Sequence, residues 1–213
     1  MVAPQEHEYS VLGGANRTKI GRVLTLTASS ISSALVFMLL TAVDFAKKYN
    51  LNVNLPPMVL SLLGAGMVFA LLNLLLSKWA WRWPGASLAL KVPDISGTWD
   101  CEGKTLHDDG RVKYEWTGEI VIVQTWDKLR IRLRTETSGS NSINAALAFD
   151  SIDGVVLLYH YRNDPKGGAA GLAAHTGCAV VTISKNGQTA AGDYFTGLGR
   201  KNVGTMNWKK RNE

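Results

Sequence analysis

Aromatic and polar side chains that recur at every second position of the C-terminal half are the residues best suited to bind a ligand. Aromatic rings stack on planar groups, tyrosine hydroxyls donate and accept hydrogen bonds, and an arginine guanidinium can form a paired contact with phosphate. Together these groups would suit a nucleotide, although each ring could instead only fill a protein core. The candidates are Trp99, Tyr114, Trp116, Asn144, Tyr159, Tyr161, Tyr194, Thr196, Arg200 and Asn202.

Catalytic and metal-binding patterns are weak in this chain. The four histidines, His7, His107, His160 and His175, fit no metal-ligand spacing, and the two cysteines, Cys101 and Cys178, form no CxxC pair. No serine stands in a nucleophile elbow, and no glycine-rich phosphate loop opens a helix. We therefore predict no catalytic residue, no metal site and no cofactor.

Two uncharged apolar runs in the first half are each long enough to cross a bilayer as a helix. They cover residues 23–43 and 57–77, and a hydrocarbon core of about 30 Å needs about 20 such residues. The sequence predicts a flexible N-terminal arm over residues 1–19 and a two-helix transmembrane hairpin over 20–83. A short linker over 84–93 then leads to a domain at 94–213.

The basic residues of the first half indicate how these spans are oriented. Residues 1–93 carry eight Lys and Arg against three Asp and Glu, whereas residues 94–213 carry fifteen against fourteen. Lys and Arg concentrate before the first run and after the second, which places both termini in the cytoplasm. The positive-inside bias also explains the basic isoelectric point, so we predict no DNA or RNA polymer as a partner.

Alternating apolar and polar residues replace the helical runs from residue 94 onward. Turn sequences separate eight short strands, and no helix is predicted among them. Such a pattern is typical of a sandwich or a closed barrel, and we favour an eight-stranded antiparallel, lipocalin-like barrel because closure removes exposed edges. The predicted strands cover residues 97–104, 111–126, 128–138, 141–149, 154–162, 173–184, 188–196 and 203–211.

Two of the predicted strands present unusual faces. In the third, Arg130, Arg132 and Arg134 share one side, which indicates a face exposed to water, to anionic headgroups or to a partner. In the strand over 154–162, neither side is clearly polar. That strand is therefore buried on both faces or lies at an interface.

The chain combines two N-terminal spans, a short linker, an opening strand that contains Gly97-Thr98-Trp99 and a closing strand with the sequence GTMNWKKR. Together these features resemble a known family. The chain resembles the two-helix β-barrel membrane effectors of CBASS, bacterial anti-phage systems in which a cGAS-like nucleotidyltransferase makes a cyclic nucleotide signal. The resemblance implies that a cyclic dinucleotide enters the barrel as the activating ligand. It further implies that the protein then oligomerises and disrupts the inner membrane, which kills the infected cell.

The same resemblance implies a set of ligand contacts. Tyr194, Thr196 and Arg200 are expected to contact phosphate or base, and Trp99 and Tyr161 are expected to stack. The implied protein is not an enzyme, and its location is the bacterial inner membrane with several crossings and both termini cytoplasmic. Its partners are the cyclic dinucleotide, the bilayer and further copies of itself.

Two other functions are compatible with the residues. A membrane-tethered, lipocalin-like protein could bind a lipophilic ligand, and it would have an apolar cavity with no need for Arg200. A structural module could instead have a solidly packed barrel and bind a partner through its three-arginine face.

Overall fold

A computed structural model of the chain describes residues 5–14, 16–51, 56–150, 152, 154–167, 173–197 and 201–211. The chain divides into two compact units. One unit is Ala15–Ala86, and the other combines Met1–Gly14 with Ser87–Glu213. The first is helical and the second is a β-barrel, so the predicted fold class, a helical membrane region followed by an all-β domain, is confirmed.

The first predicted span is one long helix. Helix α1 covers Arg17–Lys48, and the side-chain oxygen of Asn16 caps it by accepting from the backbone N–H of Thr18 at 2.8 Å. Its 32 residues exceed the length that a bilayer crossing needs. Within the described residues, this is the one helix whose length and composition suit a membrane crossing.

The second predicted span is interrupted. Residues 57–77 were expected to form one helix, but the structure has α2 at Pro57–Leu62 and α3 at Ala65–Lys78. Gly64 has an extended backbone, with ψ at 149°, and precedes α3 as its N-cap. The hydroxyl of Ser32 in α1 donates to the carbonyl of Leu63, so a polar partner from α1 stabilises the bend.

The remaining helical turns lie close to the predicted linker. A single 3₁₀ turn covers Ala80–Arg82, and helix α4 covers Pro84–Leu90. Pro84 stands at the first position of α4, where proline is favoured because its missing N–H would have no helical partner. The linker expected over residues 84–93 therefore contains a short helix.

The barrel consists of eight consecutive antiparallel strands and one additional strand. Each of the eight pairs with the next along the chain, and the last pairs with the first, which closes the barrel. These strands are β2 (Gly97–Leu106), β3 (Val112–Gln124), β4 (Lys128–Thr135), β5 (Ser138–Asp150), β6 (Gly154–Pro165), β7 (His175–Ile183), β8 (Thr189–Thr196) and β9 (Val203–Lys210).

The additional strand, β1 (His7–Leu12), corrects the prediction of a flexible arm over residues 1–19. Strands β4 and β5 pair over only three residues beside their turn and then separate. β1 fills this seam, running parallel to residues 145–148 of β5 and antiparallel to the start of β4. Six residues contain too little alternation to predict a strand, and the partners of β1 are more than 115 residues away in the sequence.

One tyrosine attaches β1 to the closed end of the barrel. Tyr9 is buried, its hydroxyl donates to the carbonyl of Trp126 at 3.0 Å, and it accepts from the amide of Gln124 at 3.2 Å. Gln124 in turn accepts from the N–H of Ile95 and donates to the carbonyl of Pro93. The strand before α1 and the segment entering β2 are thus held by one hydrogen-bond network.

Tryptophans pack the same end of the barrel. The rings of Trp99 and Trp208 meet edge to face with centroids 6.1 Å apart, among the buried side chains of Ile120, Leu129 and Leu157. These buried side chains form the core of the closed end.

We predict that Tyr9→Phe destabilises the barrel by about 1–3 kcal/mol, because it removes the hydroxyl partner of buried polar groups and keeps the ring. The measurement is thermal unfolding of the full chain in an uncharged detergent, followed by the circular dichroism of the sheet. Tyr49→Phe is the matched control, since Tyr49 is 63% exposed. Equal melting temperatures for the two variants would show that β1 does not contribute to the seam.

Candidate functional site: a ligand cavity at the open end of the barrel

A cavity of about 520 Å³ occupies the end of the barrel opposite the tryptophan core. This volume is within the range of about 300–1,000 Å³ that small-molecule sites have. Residues of strands β3 to β9 contribute to its wall or border its rim. The residues that line it include Tyr114, Glu115, Trp116, Thr135, Glu136, Ser138, Ser140, Tyr159, Tyr161, Asn163, His175, Tyr194, Thr196 and Asn202.

Three of the aromatic rings in the wall lie over glycines on the neighbouring strand. Trp116 is the cross-strand partner of Gly103, Tyr161 that of Gly177, and Tyr194 that of Gly204. A methyl group added at any of these glycines would overlap the ring that faces it. The glycines therefore let the rings lie along the wall, and the centre of the barrel stays open.

A hydrogen-bond network orients two of these rings. The hydroxyls of Tyr194 and Thr105 are 2.6 Å apart, and the indole N–H of Trp116 donates to the Tyr194 oxygen at 3.2 Å. The rings of Trp116 and Tyr194 meet edge to face with centroids 5.8 Å apart. Because these contacts restrict both rings, the wall offers a preformed surface with rigid ring faces.

Tyr161 and a further tyrosine, Tyr159, form the floor of the cavity. The rings of Tyr159 and Tyr161 are 6.0 Å apart and tilted by 48°. Burial raises the pKa of Tyr159 well above its ordinary value, with smaller contributions from Cys101 and Tyr161. Tyr159 therefore stays protonated at neutral pH and acts as a neutral hydrogen-bonding group.

Most of the predicted contact residues line the cavity. Tyr161, Tyr194 and Thr196 line the cavity, as do Tyr114, Trp116, Tyr159 and Asn202 from the larger candidate set. Arg200 lies outside the described residues, although Thr196 and Asn202 on either side of it in the sequence both line the cavity.

Trp99 is placed differently from the prediction. Its side chain is 0% exposed, its indole N–H donates to the carbonyl of Ile95 at 3.3 Å, and it is not among the lining residues. A stacking role for Trp99 is therefore inconsistent with this structure, because the ring belongs to the core of the closed end. Asn144 is also outside the cavity and is exposed beside a bulge in β5.

Several lining residues were not predicted from the sequence. Ser138 and Ser140 begin β5, and Thr135 and Glu136 precede it, so the β4–β5 turn forms part of the rim. The predicted β5 began only at residue 141. The alternation of Ser138, Ser140 and Ser142 on one side was the available signal, but serines at strand ends are also common in turns.

The charges at the rim are arranged around a largely neutral wall. Of the lining residues that the structure describes, none is Lys or Arg, and the two carboxylates are those of Glu115 and Glu136. Glu115 pairs with Lys104 at 3.0 Å, and the ammonium group of Lys166 donates to the carbonyl oxygens of Thr135 and Glu136. The wall is thus suited to stacking and neutral hydrogen bonds. In the described part of the chain, no group of His, Cys, Asp and Glu is arranged to hold a metal ion.

Comparison with known proteins agrees with this architecture. Residues 18–82 match the family model described as Cap15, TM helices, and residues 90–210 match the one described as Cap15, cyclic dinucleotide receptor domain. The chain is also 40% identical over 202 residues to CD-NTase-associated protein 15 from Yersinia aleksiciae, covering 95% of this chain and 96% of that protein. On the strength of both matches, the chain belongs to the Cap15 family of CBASS-associated proteins, which combine membrane helices with a cyclic dinucleotide receptor domain.

Proposed function

We propose that this protein is a membrane-anchored effector of CBASS defence. A cyclic dinucleotide binds in the open end of the barrel, the protein oligomerises, and the clustered helices disrupt the bacterial inner membrane and kill the cell. The observation that carries this proposal is the aromatic, hydroxyl-rich cavity within the segment that matches the receptor-domain model. No step of this function requires catalysis, so we propose a receptor and not an enzyme.

The chemistry of the wall favours a nucleotide over a lipid. Trp116, Tyr161 and Tyr194 offer ring faces and edges of the kind that bind bases. Ser138, Ser140 and Asn163 add hydroxyl and amide groups that can pair with ribose and base edges. An acyl chain would leave these polar groups without partners, which makes the lipocalin-like alternative less favourable. An open cavity also argues against a solidly packed structural module.

The position of β1 supports two membrane crossings. β1 precedes the helical unit, β2 to β9 follow it, and all nine strands belong to one barrel. A barrel cannot have strands on both sides of a bilayer, so the intervening chain must cross an even number of times. Since α1 is long enough to cross once, we propose that residues 57–78 complete the return despite the bend at Gly64. The basic flanks favour a cytoplasmic location for both termini.

Ligand binding is coupled to assembly through differential affinity. The cyclic dinucleotide must bind the assembled state more tightly than the resting state, and a difference of about 1.4 kcal/mol shifts the equilibrium tenfold. The rim segments around the cavity, including the β4–β5 turn, are the parts of the barrel that a bound ligand would contact first.

We expect one cyclic dinucleotide from a panel to raise the melting temperature of the full chain, whereas fatty acids leave it unchanged. A ligand at a hundredfold excess over its Kd stabilises the folded state by about 2.7 kcal/mol. The measurement is thermal unfolding in an uncharged detergent. The full chain is used because β1 is part of the barrel. A shift with fatty acids alone would support the lipid-binding alternative instead.

Gly103→Ala should weaken that binding at least about tenfold, because the new methyl group displaces the Trp116 ring toward the cavity. The matched control is Gly139→Ala, also in a strand, where the nearest atom to the added methyl is 3.5 Å away. Calorimetric titration gives both affinities. Equal affinities for the two variants would place the ligand outside this cavity.

Arg200→Ala should weaken the cyclic dinucleotide by about 1.5–3 kcal/mol, the range for a hydrogen bond to a charged group, with no change in the melting temperature of the free protein. Lys201→Ala removes the same charge from the next residue and serves as the control. If both variants lose affinity equally, the effect is general electrostatics and Arg200 is not a specific contact.

Accessibility of single cysteines tests the two crossings. Each single cysteine is introduced into a Cys178→Ala variant. The remaining native cysteine, Cys101, is buried, and that burial raises its pKa to about 12, which keeps its thiol unreactive. In spheroplasts, a membrane-impermeant maleimide should label Tyr49→Cys between the spans but should label Ser10→Cys and Asn186→Cys only after permeabilisation. Labelling of Ser10→Cys and Asn186→Cys from opposite sides would contradict the shared barrel.

A further inference from the structure

Four cationic side chains form a row along the outer face of β4. Lys128, Arg130, Arg132 and Arg134 alternate with Leu129, Ile131 and Leu133, which face the interior. The row is therefore on the outer wall, away from the ligand cavity. The function proposed above makes no use of it.

The two ends of the row have acidic neighbours. Lys128 is the cross-strand partner of Glu8 in β1, and the guanidinium of Arg134 is 3.1 Å from the carboxylate of Glu119 in β3. The charges at both ends of the row are thus opposed by carboxylates on adjacent strands.

Among the residues that the structure describes, the two central arginines have no such neighbours. Arg130 and Arg132 are opposite Val123 and Val121 of β3, and within the described part of the chain neither guanidinium lies within 4.0 Å of a carboxylate. Both donate to a single acceptor, the side-chain oxygen of Asn141, at 2.9 and 3.2 Å. Two positive charges therefore converge on one neutral oxygen.

Donor groups of both arginines remain unsatisfied. The Nε atoms of Arg130 and Arg132 are buried and have no hydrogen-bond partner in the described structure. Buried donors without partners are unfavourable, and a folded protein normally satisfies them. Asn141 already holds both guanidinium groups in place, so little side-chain freedom is lost when a further acceptor binds.

We propose that Arg130 and Arg132 form a binding site for a phosphate group on the outer wall of the barrel. Phosphate offers several charged oxygens, and the planar fork of each guanidinium matches them in pairs. A bound phosphate neutralises the two central charges. The phosphate can belong to a phospholipid headgroup, of which a membrane-anchored protein has a high local concentration, or to a free phosphate ion.

The test compares two variants of equal charge in the full chain in an uncharged detergent. Arg130→Gln combined with Arg132→Gln removes the central pair. Lys128→Gln combined with Arg134→Gln removes the two ends of the same row on the same strand. The melting temperature is measured in potassium phosphate against potassium chloride at equal ionic strength, and in micelles doped with phosphatidylglycerol against diacylglycerol.

We expect phosphate or phosphatidylglycerol to raise the melting temperature of the unmodified protein and of the end variant by roughly 3 °C, and the central variant by less than 1 °C. A shift in both arms shows that the site accepts free phosphate, and a shift with phosphatidylglycerol alone identifies a lipid headgroup. Equal shifts in the two variants, or no shift in the unmodified protein, would overturn the proposal.

Cyclic dinucleotide titration separates this inference from the proposed function. The central variant should bind the cyclic dinucleotide with unchanged affinity, because neither arginine lines the cavity. This control also shows that the variant folds. If no cyclic dinucleotide binds any form of the protein, the receptor proposal fails while the phosphate result stands independently.

Discussion

The contact on which the open cavity depends is the packing of an aromatic ring over a glycine on the next strand. An eight-stranded barrel is narrow, and large side chains that point inward normally fill it. Here Trp116, Tyr161 and Tyr194 lie over Gly103, Gly177 and Gly204, so three large rings are placed against the wall. The same residue types that close one end of the barrel as a core therefore leave the other end open.

The contrast between the two ends follows from what faces each ring. Trp99 and Trp208 meet each other and buried aliphatic side chains, which gives solid packing. At the open end, Tyr194 meets a glycine, the hydroxyl of Thr105 and the indole of Trp116, so its polar group is satisfied without filling the centre. Packing at one end provides stability, and the glycine contacts at the other provide a preformed cavity.

The seam between β4 and β5 is filled by β1, the strand that precedes the membrane helices in the sequence. β1 lies on the N-terminal side of the helices, yet it completes the barrel that follows them. This arrangement removes an exposed sheet edge, which would otherwise be a site for pairing with other chains. It also means that the segments before and after the helical unit belong to one barrel. The outer wall beside the seam carries the cationic row, so the seam strand contributes Glu8 to its electrostatics.

Much of this protein could be predicted from its sequence because the signals are local. Uncharged runs of membrane-spanning length, alternating residues from 97 to 211 and turn residues between them predicted the helical region and the closed barrel. Tyr161, Tyr194 and Thr196 were expected inside the barrel, and all three line the cavity. Alternation does not, however, locate a residue along the barrel axis, so Trp99 was assigned to the site although it lies in the core. The role of Gly103, Gly177 and Gly204 depends on the register between neighbouring strands. The strand at His7–Leu12 and the bend at Gly64 depend on partners distant in the sequence. Only the tertiary structure decided these features, because cross-strand register and seam closure are set by contacts between strands and not by the local pattern of residues.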